Sequence, residues 1–178
     1  MQKEITEKGP LLDEKGHLTT SGYARKLLLD YDRSRIKANK LRIKEWDYYF
    51  IYDDEYGLAL TIDDNSYMGL GGVSVIDFKT PKETTVNLMS VMPLGKSKMP
   101  SSSQSGSCFF KQKDAYLAFY NNGAKRDLQV NFPNFNKETL TASVTLTDAP
   151  EESMVIVTPY KEDKKTFYYT PRVLHLII

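Results

Sequence analysis

Residues 140–147 read Leu140-Thr141-Ala142-Ser143-Val144-Thr145-Leu146-Thr147. Aliphatic side chains take every second position and small hydroxyl-bearing ones fill the positions between. A period of two is what a pleated strand with one buried and one wet face requires, whereas a helix needs apolar residues every three or four. Working back towards the N-terminus, residues 126–132, 115–120 and 108–111 are further short runs of this kind. The first two are joined through Asn121-Asn122-Gly123, a strong hairpin signal. Before them lie 84–92, 67–78, 56–63 and 41–52, separated by Asp53-Asp54, Asp64-Asn65-Ser66 and Thr80-Pro81-Lys82. The run 41–52 (LRIKEWDYYFIY) is dense in aromatic and β-branched residues, which suit a pleated surface. Beyond residue 147, 154–159 and 166–169 complete the series. Short strands joined by turn chemistry predict an all-β fold, an antiparallel sandwich or barrel, and exclude a parallel doubly wound sheet, whose crossovers need a dozen or more residues each.

The exception lies near the start. Residues 1–24 are rich in turn formers, with Gly9-Pro10 and Gly16 as breakers. From Tyr23 to Lys40 neither Gly nor Pro occurs, Ser21 is placed as a cap, and Leu27 and Tyr31 stand at i and i+4. One short helix is the expectation there. The chain divides on this reading into a lead-in segment with a short helix, 1–40, and an antiparallel β domain, 41–178. Residues 96–107 (KSKMPSSSQSGS) interrupt the strands with a polar stretch read as a long loop over one mouth of the barrel.

Composition narrows the function. The 178 residues carry 24 Lys and Arg against 23 Asp and Glu, a net charge of +1, so a basic coat for nucleic acid is not expected. With 40% hydrophobic and 26% charged residues the chain reads as globular, and its apolar runs are too short to span a bilayer. One cysteine, Cys108, excludes an internal disulfide and a thiolate zinc cluster, and the two histidines, His17 and His175, stand far apart. No metal and no cofactor is therefore expected, and both imidazoles read as surface groups. The N-terminus is polar and mixed in charge rather than a secretory leader, so the cytoplasm is the expected compartment.

Several stretches invite a chemical reading. Gly69-Leu70-Gly71-Gly72 resembles half a dinucleotide fingerprint, but position 74 is Ser and the segment runs on as a strand, so a bulge, a bend or a close approach of two backbones is the better reading. Cys108 reads as a buried, inert thiol. Residues 33–44 hold six basic residues and no acidic one, read as a solvated face balanced by Asp30, Asp32, Glu45 and Asp47. In residues 45–49 (EWDYY) alternation sets Ile43, Glu45, Asp47, Tyr49 and Ile51 on one face, and Arg42, Lys44, Trp46, Tyr48, Phe50 and Tyr52 on the other. Both faces mix charge with apolar surface, as a strand lining a cavity would. A carboxyl group held in an apolar cavity has its pKa raised and can act as a general acid. Glu45 and Asp47 are the catalytic candidates; Arg42, Trp46, Tyr48, Tyr49 and Tyr168 are the ligand-binding candidates. Structural carboxylates bonded to Arg42, Lys44 or nearby backbone are the competing reading.

Ile36-Lys37-Ala38 followed by Leu41-Arg42-Ile43-Lys44-Glu45-Trp46-Asp47-Tyr48-Tyr49 resembles the bacterial family catalogued as domain of unknown function 2804. Matches continue in order through Ser74-Val75 with Asp77-Phe78, Pro93-Leu94-Gly95-Lys96, and Pro100 with Ser102-Ser103. They end with Phe132-Pro133 and Phe135, Ser153-Met154-Val155-Ile156 with Thr158-Pro159, and Phe167-Tyr168-Tyr169, so the resemblance spans residues 10–169. It implies a distant kinship with calycin-type proteins, in which lipocalin-like barrels occur in tandem. Their enzymes, carotenoid hydratases and pericyclase-like proteins, act on greasy substrates. No functional residue carries over. The family runs on past Phe-Tyr-Tyr with an Asn, whereas Thr170-Pro171 follows here and the chain ends at Ile178. The resemblance thus implies the first half of a two-barrel protein, with an apolar face left for self-association. Three functions stand open: a lipocalin-like binder of a small lipophilic molecule, a hydratase- or isomerase-type enzyme using a carboxylate acid, and an inactive fragment.

Overall fold

A computed structural model describes residues 3–147, 152–161 and 166–172. Thirteen strands run through them: β1 (Gly9–Pro10), β2 (Gly22–Ala24), β3 (Leu29–Asp30), β4 (Glu45–Tyr52), β5 (Tyr56–Asp64), β6 (Met68–Asp77), β7 (Lys82–Val91), β8 (Gly106–Gln112), β9 (Ala115–Asn121), β10 (Arg126–Phe135), β11 (Glu138–Leu146), β12 (Met154–Pro159) and β13 (Phe167–Arg172).

Consecutive strands joined by tight turns pair with their sequence neighbours, giving two antiparallel meanders, β4-β5-β6-β7 and β8-β9-β10-β11. The eightfold alternation that opens the sequence reading sits in β11, where Leu140 pairs with Phe132, Val144 with Leu128 and Leu146 with Arg126. Pro133 has no N–H to give the ladder, and the β10–β11 register shifts between Phe132 and Phe135. The two meanders bury one core between them: Leu60, Ile62 and Val73 from the first meet Phe110, Leu117, Phe119, Leu128, Val130 and Phe132 from the second. The architecture is all-β and antiparallel in both meanders, as the two-residue period demands. A closed barrel is not found among the described residues, because residues 92–105 carry the chain from β7 to β8 without pairing them.

The Gly-rich segment of β6 shows what its glycines are for. The β6 ladder is continuous with both neighbours, so there is no bulge. Instead the Phe110 ring of the opposite sheet lies over Gly71, where a Cβ would stand 2.2 Å from a ring carbon. The close approach is between a ring and a backbone.

The lead-in residues build a second core. β2 pairs with β12, β12 with β13, and β1 with β3 in parallel. Leu11, Leu12, Leu18, Ala24, Leu29, Val155 and Val157 are buried together. The helix expected between Tyr23 and Lys40 is a correction: that stretch holds β2, β3 and a 3-10 turn at Arg33–Arg35, with a second turn at Lys40–Arg42. The side chains of Asp32 and Asn39 accept from the backbone N–H of Ser34 and Leu41, which closes single turns and competes with a continuing helix. Leu27, Leu28, Leu29 and Tyr31 all pack on the second core, which an extended chain allows and one helical face does not. His17 is half-buried against Asp13, 3.3 Å away; His175 lies outside the described residues.

Candidate functional site

Among the described residues β4 pairs only with β5, which leaves its other edge unpaired. That edge, β13, residues 36–38 and 41–44, and the loop residues Met99–Ser103 enclose a groove of about 1470 Å³. Strand alternation splits β4 across it. Trp46, Tyr48, Phe50 and Tyr52 are exposed, while Glu45, Asp47, Tyr49 and Ile51 turn inward. The Trp46 ring lies 5.8 Å from that of Tyr168 on β13, an aromatic contact between two sheets. Phe50 and Tyr52 stack at 5.4 Å.

The floor is polar. Asp47 Oδ2 receives the Cys108 thiol at 3.8 Å, and the Tyr49 hydroxyl, two residues along the same face, also leans on this carboxyl. Burial pushes the Asp47 carboxyl above the usual carboxylate range, against the opposing pull of the Arg126 charge. Burial, reinforced by Asp47, pushes up the Cys108 thiol and the Tyr49 phenol as well. Arg126, the first residue of β10, is 8% exposed. Its Nη2 donates to the Ser103 carbonyl at 2.6 Å, and its guanidinium carbon lies 6.0 Å from the centre of the Tyr49 ring. Tyr49 in turn meets Phe119 edge-on at 4.9 Å.

The two candidate acids have different surroundings. Glu45 accepts from the Tyr31 hydroxyl at 2.5 Å on one oxygen and pairs with Arg33 through the other. Both oxygens are engaged, and they tie β4 to the first 3-10 turn. Burial raises the Tyr31 phenol to about 12. Asp47 has weaker partners and faces the groove.

All seven residues singled out from the sequence line this one groove: Arg42, Glu45, Trp46, Asp47, Tyr48, Tyr49 and Tyr168. Arg42 is exposed at the end of the second 3-10 turn, Trp46 and Tyr48 stand at the rim, Tyr168 is half-buried, and Tyr49 reaches the floor. Sequence reasoning missed Arg126. Its signal was the alternation of β10, which places Arg126 on the same face as Leu128, Val130 and Phe132, so a charged side chain stands on a buried face. Ser101, Ser102 and Ser103, within the stretch read as a loop over a barrel mouth, line the groove, and Ser103 supplies the carbonyl that holds Arg126.

Among the described residues no cluster of three or more His, Cys, Asp or Glu is placed to hold a metal ion, and no helix is long and apolar enough to cross a membrane. The family described as Domain of unknown function (DUF2804) matches residues 2–178. No curated protein and no solved structure matches the chain.

Proposed function

The chain belongs to the DUF2804 family, and from that premise we propose that it binds a small lipophilic molecule in the groove between β4 and β13. The observation that carries this is an aromatic wall, the exposed Trp46 and Tyr48 with the half-buried Tyr168, standing above a floor that carries a few polar groups, Asp47, Tyr49 and Arg126. Apolar walls with a small number of placed polar groups are what a ligand site requires. Trp46 is the single tryptophan and stands at the rim, so its emission reports occupancy directly. Titration of the purified chain with a lipophilic probe such as decan-1-ol, followed by Trp46 fluorescence, is expected to saturate. An unchanged spectrum, with no lipophile found by solvent extraction and native mass spectrometry, would count against binding.

A second reading is favoured by one observation, the enclosed Asp47 carboxyl held towards its neutral form beside the groove. A neutral carboxyl at such a place can protonate a bound alkene or enol-like carbon, the first step of a hydratase or isomerase. Asp47→Asn would abolish turnover of a substrate while leaving its binding in place. The open edge of β4 also suits pairing with a second copy of the chain, which sedimentation at rising concentration checks. A single buried thiol is compatible with a reducing compartment such as the cytoplasm.

A further inference from the structure

We propose that the groove selects an amphipathic carboxylate, a lipophilic acid whose headgroup seats on the Arg126 guanidinium and whose apolar portion lies along Trp46, Tyr48 and Tyr168. This rests on the binding reading above and adds the chemical class of the ligand.

Arg126 is more than nine-tenths buried, yet it forms no ion pair with a carboxylate within 4.0 Å among the described residues. Its protein contacts are the Ser103 carbonyl and the face of Tyr49, which leave most of its five N–H donors unused. Those donors are not sealed in protein: among the described residues Asp63 Oδ1 is the side-chain polar atom that is both enclosed and unpartnered. The unused edge of the guanidinium therefore opens on the groove that Arg126 lines. A charge removed from bulk water without a counter-ion is costly to hold, and an anion arriving in the groove relieves that cost.

The charge of the lining agrees. Among the described residues Lys37, Arg42, Lys44, Arg126 and Lys161 line the groove, against Glu45 and Asp47. Glu45 is already paired with Arg33. The potential in the groove is thus positive and draws anions in. Asp47 is the obvious internal rival for Arg126. Burial disfavours its ionised form and outweighs the pull of the Arg126 charge, and no Asp47 oxygen pairs with the guanidinium within 4.0 Å, so it competes weakly as a counter-ion. In its neutral form it donates a hydrogen bond to an incoming carboxylate instead. One planar guanidinium matches one carboxylate through two parallel hydrogen bonds, and its single positive charge is balanced by a monoanion. The groove, at about 1470 Å³, has room for the apolar portion of such an acid.

The experiment compares decanoate with decan-1-ol, which share a chain and differ in headgroup, by calorimetry and Trp46 emission on the whole chain. The wild type is expected to bind decanoate about tenfold or more tightly than the alcohol. Arg126→Gln is expected to remove the preference, bringing decanoate to the affinity that the same variant shows for the alcohol. If Arg126→Gln does not fold, Arg126→Lys, which keeps the charge and loses the fork, is expected to reduce the preference for the acid. Equal affinity for both molecules in the wild type would overturn the carboxylate class and leave the lipophile reading standing. A preference that survives the Arg126 substitutions would overturn the seat. Binding of neither molecule would remove the binding reading itself.

Discussion

The Sγ of Cys108 on β8 stands 3.8 Å from Oδ2 of Asp47 on β4, so a thiol and a carboxyl meet across the interface of the two meanders. Asp47 disfavours the thiolate of Cys108, whereas the hydrogen bond from the thiol favours the Asp47 carboxylate. Burial is the larger cause for both groups, and the Asp47 charge adds to it at Cys108. The thiolate, which is the reactive form, is therefore scarce even at mildly alkaline pH. Native protein at pH 8 is expected to react with an aromatic disulfide reagent orders of magnitude more slowly than the same protein in urea. Rapid stoichiometric labelling of the native chain would contradict this.

Asp47 also leaves a mark on the pH dependence of stability. Its folded pKa lies above its unfolded value, so between the two the folded state binds more protons than the unfolded one. Its contribution is fully present below the unfolded pKa and is lost as pH rises through the folded pKa. Asp13, Asp32, Asp53, Asp77 and Asp127, held below the ordinary range mainly by hydrogen bonds, have the opposite sign. The Asp47 effect is therefore read as a difference. The stability of Asp47→Asn minus that of the wild type is expected to grow from pH 3 towards neutrality in urea titrations. A flat difference would show that Asp47 is solvated in the fold.

Glu45 is expected to matter for stability rather than for chemistry. Removing it leaves the Tyr31 hydroxyl and the part-buried Arg33 charge without their shared partner. The cost of Glu45→Ala is about 1–3 kcal/mol, below that of a fully buried pair because the Arg33 side chain keeps 28% exposure. Urea denaturation checks this. A loss close to zero would mean the pair is solvated.

Gly71 tests the packing of the two meanders. A methyl group there enters the Phe110 ring, which is itself buried in the core that holds Leu60, Val73 and Leu117 and has little room to step aside. At Gly72 the nearest atom is the end of the Asn87 side chain, which can rotate away. Gly71→Ala is expected to cost about 1–3 kcal/mol and Gly72→Ala distinctly less, measured by denaturation midpoints.

The strands were legible because a two-residue period is a local property. The side chains of β11 announce their own faces, and Asn122 and Gly123 build the β9–β10 turn, where Asn122 N–H donates to the Lys125 carbonyl. The helix expected over Tyr23–Lys40 failed because its leucines serve a core built with β12, more than a hundred residues away. Capping by Asp32 and Asn39 looks alike at the start of a helix and in a lone turn. The candidate site was legible on β4, where charge and aromatics share both faces. Arg126 was not, because its importance depends on which strand edge and which loop carbonyl stand opposite, and that is a matter of long-range pairing.

The contact between Trp46 and Tyr168 joins β4, in the first meander, to β13, in the sheet built with the lead-in segment. Neither ring is in the main core, so the pair acts on the groove more than on folding. Trp46 is 47% exposed even with Tyr168 against it, and removing that neighbour wets the indole further. Tyr168→Ala is expected to move the Trp46 emission to longer wavelength. Aromatic pairs of this kind couple by about 0.5–1.5 kcal/mol, so in a double-mutant cycle on ligand affinity Trp46→Ala and Tyr168→Ala should be non-additive by that amount. If the two rings instead served only to keep β13 in place, ligand affinity would change little while the urea midpoint fell. Measuring both quantities on the same three variants separates a wall of the groove from a structural tie.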